Sequence, residues 1–139
     1  MTIRVTTEDS GLYALIEMHH PPDVGPALHV HPRGPEAFYI VEGAYTFYRD
    51  SEVIHAGPGK SVVIPAGVAH RYRSGPAGGR ALVISPPDLE RYFWEVAERL
   101  RVGVLPLDEE FAIATANGQD FLERAGHWDR TGGPDAPAA

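Results

Sequence analysis

His29 and His31 stand one residue apart, Glu36 follows the stretch Pro32-Arg33-Gly34-Pro35, and His70 lies far along the chain. Each of these side chains can donate a lone pair to a metal ion, three through an imidazole nitrogen and one through a carboxylate oxygen. In a β-strand, residues two apart point to the same face. His29 and His31 can therefore address one ion while Leu28 and Val30 face the other way. Glu36, Phe38 and Ile40 share a face of the following extended run, and Val68, His70 and Tyr72 share a face of a later one. A barrel interior is normally apolar, and unpaired polar groups there are costly. Three histidines and a carboxylate on inward faces require a compensating charge, and one divalent transition-metal ion per chain provides it. Nitrogen-rich ligation with one oxygen suits Fe, Mn, Ni, Cu, Co or Zn. It leaves one or two positions open for water, substrate or dioxygen.

Short strands must carry these residues. Runs rich in Val, Ile, Tyr and Phe, broken by Gly and Pro, extend from Thr2 to about Ser85. They predict strands at Ile3–Thr6, Leu12–His19, Ala27–His31, Glu36–Glu42, Ala44–Tyr48, Val53–Ala56, Ser61–Ile64, Val68–Arg73 and Ala81–Ser85. Turns are expected at Gly43, Arg49-Asp50-Ser51, Pro58-Gly59 and Pro65-Ala66-Gly67. Short strands spaced by about ten residues, without long alternating helices, argue for an all-β sandwich or barrel. After Pro86-Pro87 the pattern becomes helical. Leu89, Phe93, Val96 and Leu100 recur at helical spacing from Asp88 to Leu100, with Asp88 as N-cap, Gly103 beyond the end, and Glu90, Arg91, Glu95, Glu98 and Arg99 on the polar face. A second helix is expected from Asp108 to about Ala116, ended by Asn117-Gly118. Both should pack against the barrel, because an apolar stripe needs a partner. The expected division is a barrel over 1–86, packed helices over 87–125 and a flexible tail over 126–139.

Composition removes several function classes. The net charge of -7 comes from 19 acidic against 12 basic residues, and no Lys/Arg cluster interrupts it. Nucleic acid and anionic membrane would want a field of opposite sign, so neither partner is expected, although Arg71 and Arg73 could form a small patch. The absence of cysteine removes disulfides, thiolate metal sites and cysteine nucleophiles. With no signal-peptide run after Met1 and no span-length apolar segment, a soluble cytoplasmic protein is the expectation.

The segment Gly25–Gly43, GPALHVHPRGPEAFYIVEG, resembles the first motif of the cupin superfamily: two histidines separated by one residue, a glutamate after a short turn, and a glycine seven residues later. Gly59–Ser74, GKSVVIPAGVAHRYRS, resembles the second, with Pro65, Gly67 and His70 in register. Two departures are visible: the gap from Gly25 to His29 is short, and Ser74 stands where asparagine is usual. Neither touches a ligand position. The resemblance implies a single-domain double-stranded β-helix, or jelly-roll barrel, here with a C-terminal helical extension. It implies metal ligation by His29, His31, Glu36 and His70, and a homodimer, for which outward apolar residues such as Leu28 and Val30 are candidate contacts.

Members of this superfamily include dioxygenases that cleave flavonols or diketones, isomerases, polyketide cyclases and ligand-binding modules. The stretch PPDLERYFWEVAERL looks like the C-terminal helix of bacterial proteins related to quercetin dioxygenases. The leading expectation is a metal-dependent dioxygenase acting on an aromatic or enolisable oxygenated small molecule, with Glu36 accepting the substrate proton and Tyr72 orienting it. A cyclase or isomerase using the same metal, or a non-catalytic small-molecule-binding module, are the alternatives. Phe38, Ile40, Phe47 and Tyr72 are candidate pocket walls, with Tyr45 beside them, though aromatics at strand spacing equally serve a core. His19 and His20 read as rim or dimer-contact histidines, and His55 and His127 as surface residues.

Overall fold

A computed structural model describes residues 1–124 of the chain. The expected flexible tail and His127 lie outside the described residues. Strand β1 (Thr2–Val5) leads into a one-turn helix α1 (Thr7–Ser10), then β2 (Ala14–His20), β3 (His29–Val30), β4 (Glu36–Arg49), β5 (Glu52–Ala56), β6 (Ser61–Ile64) and β7 (His70–Ser85). Helices α2 (Leu89–Val102) and α3 (Leu107–Ala116) follow, and β8 (Asp120–Phe121) closes the described chain. All pairings are antiparallel, and the strands form the expected all-β barrel with a C-terminal helical extension. No helix among the described residues is long and apolar enough to cross a membrane.

Two long strands replace four expected short ones. Glu36–Glu42 and Ala44–Tyr48 are halves of the 14-residue β4, and Val68–Arg73 and Ala81–Ser85 contribute to the 16-residue β7. β4 and β7 pair along their whole length, from Ala37↔Ile84 to Arg49↔His70, with register shifts between Ile40/Glu42 and Gly43/Tyr45. On its other edge β4 changes partner, taking β6 over Glu36–Tyr39 and β5 over Tyr45–Arg49. Gly43 is where the strand bends. Its φ is 74°, and a Cβ there would lie 2.1 Å from the Gly78 carbonyl oxygen. A side chain is excluded twice, by conformation and by space.

Alternation sets the two faces. In β2, Ala14, Ile16 and Met18 are buried while His19 is exposed. In β4, Glu36, Phe38, Ile40, Tyr45 and Phe47 point inward. The helices join the same core: Leu89, Tyr92, Phe93 and Val96 form one buried cluster with Ile16, Phe38 and Val83. The apolar stripe of α2 therefore has the partner that its period required.

The helix start departs from expectation. Asp88 occupies the N-cap position with φ 73° but makes no side-chain cap bond. Its carboxylate instead lies 3.1 Å from Arg33 and 3.6 Å from Arg91. Glu90, expected on the polar face, is buried and accepts hydrogen bonds from the Thr7 backbone N–H (2.6 Å) and hydroxyl (2.9 Å). A buried carboxylate is tolerable when its oxygens are paired in this way. The short helix α1 was not expected; it is closed by a reciprocal capping box between Thr6 and Asp9. Nor was β8, whose backbone pairs with β3 at His29↔Phe121 and Val30↔Asp120. That pairing occupies the free edge of β3, whose flanking Leu28 and Val30 are half-buried.

The packing of α2 has a measurable consequence. Phe93 is 3% exposed and Trp94 51%. Phe93→Ala should cost about 3–5 kcal/mol in urea unfolding, and Trp94→Ala less than about 1 kcal/mol. Equal, small losses for both would show that α2 is not part of the cooperative core.

Candidate metal centre

Four polar side chains meet inside one end of the barrel. β3 presents His29, the residue directly after it is His31, the first residue of β4 presents Glu36, and the first residue of β7 presents His70. All four are buried, at 1%, 2%, 4% and 0% exposure respectively. The tertiary pairing His29↔His70 joins β3 to β7 and places the distant third histidine. Turn 32–35 then returns the chain so that Glu36 faces the same space.

The rings of His29 and His70 lie 4.2 Å apart centre to centre, His29 and His31 4.9 Å, and His31 and His70 5.1 Å. Glu36 Oε1 is 3.3 Å from His70 Nε2, and its Oε2 is 3.5 Å from His31 Nε2. Backbone carbonyls orient two of the rings: His29 Nδ1 lies 2.7 Å from the Ala27 oxygen and His70 Nδ1 2.9 Å from the Val68 oxygen. With the proton on Nδ1 donated to a carbonyl, each ring presents the Nε2 lone pair inward. Both ring nitrogens of His31 are buried without a hydrogen-bond partner. Such orphaned atoms in an apolar interior are expensive unless something binds them.

One donor atom from each residue lies within 4.8 Å of every other. Ligands on opposite sides of an ion, with bonds of about 2.2 Å, stand about 4.4 Å apart, so the group is already gathered to nearly that span. The orphaned His31 and the nitrogen-rich donor set both fit a metal, and His29, His31, Glu36 and His70 could bind one ion. Burial by itself would raise the pKa of Glu36. The positive charge that His31 and His70 carry when protonated outweighs it and holds the carboxyl far below the usual carboxylate range.

Above this group the barrel is filled by aromatic rings. Phe38, Phe47 and Tyr72 pack edge to face or tilted, at centroid distances of 4.8, 5.2 and 5.6 Å. Ile40 is fully buried among the core residues. These four residues belong to the buried core of the barrel. His20, expected at the rim, instead points inward. Its Nδ1 is 2.8 Å from the Tyr45 hydroxyl and its Nε2 3.4 Å from the Tyr72 hydroxyl. The Tyr72 hydroxyl also donates to Met18 Sδ at 3.7 Å. A neutral imidazole protonated on Nε2 satisfies every one of these contacts: Tyr45 donates to Nδ1, Nε2 donates to Tyr72, and Tyr72 donates to sulfur. Burial, assisted by the positive charges of the N-terminal amine and of His19, lowers the His20 pKa to about 4. Burial also pushes both phenols up, that of Tyr72 further through the charge of Glu36. The alternation Ala14, Ile16, Met18, His20 was the sequence signal for this inward histidine. Pro21-Pro22 drew the reading toward a rim. His19 and His55 are exposed as expected.

Residues 16–85 match the Cupin_2 family, described as a cupin domain, and the chain belongs to that family. No curated protein sequence matches it. Among solved structures it is similar to KdgF from Halomonas sp., with TM-score 0.56 and 20% identity over 65% of this chain and 80% of that one. It is similar to the polyketide cyclase RemF from Streptomyces resistomycificus, with TM-score 0.51 and 27% identity over 59% of this chain and 60% of that one. The DMSP lyase DddQ from Ruegeria pomeroyi DSS-3 gives TM-score 0.50 and 29% identity over 57% of this chain and 40% of the lyase. The chain thus spans less than half of that lyase.

Two measurements follow from this geometry. Protein prepared without chelator should carry about one transition-metal ion per chain by elemental analysis, and His31→Ala and His70→Ala should each lose it; equal content in all three would refute the assignment. Because the unfolded His20 binds a proton near pH 6.5 and the folded one only near 4, its contribution to stability is complete above pH 6.5. It is lost as pH falls toward 4. His20→Gln should flatten the acid limb of stability against pH across that window; an unchanged limb would show that His20 is not its source.

Proposed function

We propose that this chain is a metal-dependent acid–base enzyme that isomerises, cyclises or eliminates within an enolisable oxygenated small molecule without consuming oxygen. The observation that carries this reading is the hydrogen-bonded series of buried Tyr45, half-buried His20 and buried Tyr72 on the inner side of the strands that carry the four-residue metal group. A metal held by His29, His31, Glu36 and His70 would act as a Lewis acid, polarising the carbonyl or enol oxygen of the substrate.

The chain's own residues supply the proton chemistry. Three imidazoles are enough to hold an ion, so Glu36 can serve as ligand at rest and as base when a substrate hydroxyl or activated C–H comes within reach. Tyr72 is a neutral phenol, kept so by burial, and therefore a donor to an oxygen that gains negative charge. Its present acceptor, the Met18 sulfur, is weak and easily exchanged for an oxyanion. His20 sits behind Tyr72, and its Nε2–H, held in that tautomer by Tyr45, can donate a hydrogen bond that stabilises the Tyr72 phenolate while Tyr72 has lent its proton. Phe38 and Phe47 exclude water from the same space, which strengthens each of these interactions.

The likeness to a cyclase and a lyase at 27% and 29% identity supports the non-oxidative reading, since neither reaction type needs an oxidant. The dioxygenase expected from sequence uses the same donor set with a redox-active Fe or Cu. It is the second reading.

Glu36→Gln preserves shape and removes the base, so it should retain metal while kcat on 1,3-diketones or polyphenols falls roughly 10²–10⁴-fold. Tyr72→Phe should lower kcat roughly tenfold, the worth of about one hydrogen bond. Product formation should proceed equally under argon and in air. Dioxygen uptake in step with product would replace this reading with the dioxygenase, and parental turnover by metal-loaded Glu36→Gln would eliminate the base role.

A further inference from the structure

The segment His70-Arg71-Tyr72-Arg73 at the start of β7 alternates between two surfaces. His70 and Tyr72 point into the barrel; Arg71 and Arg73 are exposed on its outside. The outer pair is unusual in this chain. Every other arginine of the described residues lies within 3.6 Å of an Asp or Glu oxygen, or closer. Arg71 and Arg73 have no carboxylate partner among the described residues. In a protein of net charge -7, with acidic side chains in excess, two neighbouring guanidiniums have been left unneutralised. Two like charges on adjacent outward positions of one strand repel each other until an anion bridges them.

The space between them is built. Arg71, Arg73, Tyr48, Gly25, Pro26 and Tyr72 line a recess of about 200 Å³. The Arg71 guanidinium lies over the Tyr48 ring, 4.7 Å from its centroid, which holds its planar fork in place. The opposite wall, Gly25-Pro26, lies hard against β7: a Cβ on Gly25 would fall 1.7 Å from the Tyr72 carbonyl oxygen. Ser74 pins that wall. Its hydroxyl donates to the Pro21 oxygen (2.7 Å) and accepts from the Val24 N–H (3.0 Å), while its own N–H donates to the Val24 oxygen (2.7 Å). That wall is therefore held without help from the arginines.

We propose that this recess is a binding site for a small oxyanion of about two charges, a phosphate or a dicarboxylate, bridged by Arg71 and Arg73. Planar guanidinium forks match either group through paired N–H donors. The site is separate from the buried metal group, because Arg71 and Arg73 stand on the opposite face of β7 from His70 and Tyr72.

Isothermal titration calorimetry with sodium phosphate, and separately with sodium succinate, at constant ionic strength tests this. Saturable binding of at least one of them to the parent protein is expected, and which of the two saturates identifies the anion class. Arg71→Gln and Arg73→Gln should each weaken it roughly tenfold, as for the loss of one charge-assisted contact, and the double variant should abolish it. His31→Ala should bind the anion as the parent does, so the result stands independently of the metal assignment. Absence of saturation, equal affinity in the double variant, or loss in His31→Ala alone would overturn the proposal. Sedimentation velocity on the same variants adds a further outcome: a dimer converted to monomer by the double substitution would show that the arginines meet a second copy, which also overturns it.

Discussion

Placing three imidazoles and a carboxylate at 4% exposure or less inside a barrel is the constraint around which this structure is arranged. Each of those groups would forfeit hydration on burial, and the loss is recovered only by partners of suitable direction and charge. Two histidines obtain one partner each from a backbone carbonyl two residues before them. Glu36 spans His31 and His70, and the orphaned nitrogens of His31 are the remainder that a metal ion would complete. Metal binding would thus add to the stability of the fold as well as to its chemistry.

The barrel meets this constraint through strand length more than strand number. β4 and β7 each run past the bend in the sheet, so one continuous strand supplies both the metal group and the aromatic layer above it. β7 carries His70, Tyr72 and Ser74 on one face, opposite Arg49, Phe47 and Tyr45 of β4. A slip of β7 by one residue would turn His70, Tyr72 and Ser74 to the other surface. The register is held from both edges, by β5 and β6 on β4 and by β2 and β3 on β7. The C-terminal segment closes the same end: β8 pairs with His29, and the Phe121 ring lies 6.0 Å from that imidazole. The segment after the helices thereby contributes to the surroundings of the metal group.

Polar groups away from the metal follow the same accounting of charge. Glu90 is buried and answered by Thr7; Glu17 is shared by Arg4 and Arg80, whose hydrogen bonds lower its pKa to about 2. His20 is half-buried and neutral between two phenols. Only where β7 turns Arg71 and Arg73 outward do the described residues leave two guanidiniums without a carboxylate.

Much of the metal group was legible before the fold, because its information is local. His-X-His in an extended run places both rings on one face by the two-residue period alone, and the turn residues after it return Glu36 to the same side. The jelly-roll class was legible through the spacing of glycines and prolines and its resemblance to the cupin motifs. Other features were not. A glycine at positive φ inside a strand reads in sequence like a hairpin turn, so β4 and β7 were each divided. Two-residue strands such as β8 contain no period at all and exist only because β3 offers an open edge. The inward course of His20 was written in the alternation of β2, but its meaning depended on Tyr45 and Tyr72, which other strands deliver. Which charges are paired is likewise decided in three dimensions, since the partners of Glu90 and the isolation of Arg71 and Arg73 involve residues far apart in the chain. Side-chain direction follows from local backbone geometry and is carried by the sequence, whereas the company a side chain keeps depends on strand pairing at long range, which the tertiary structure alone decides.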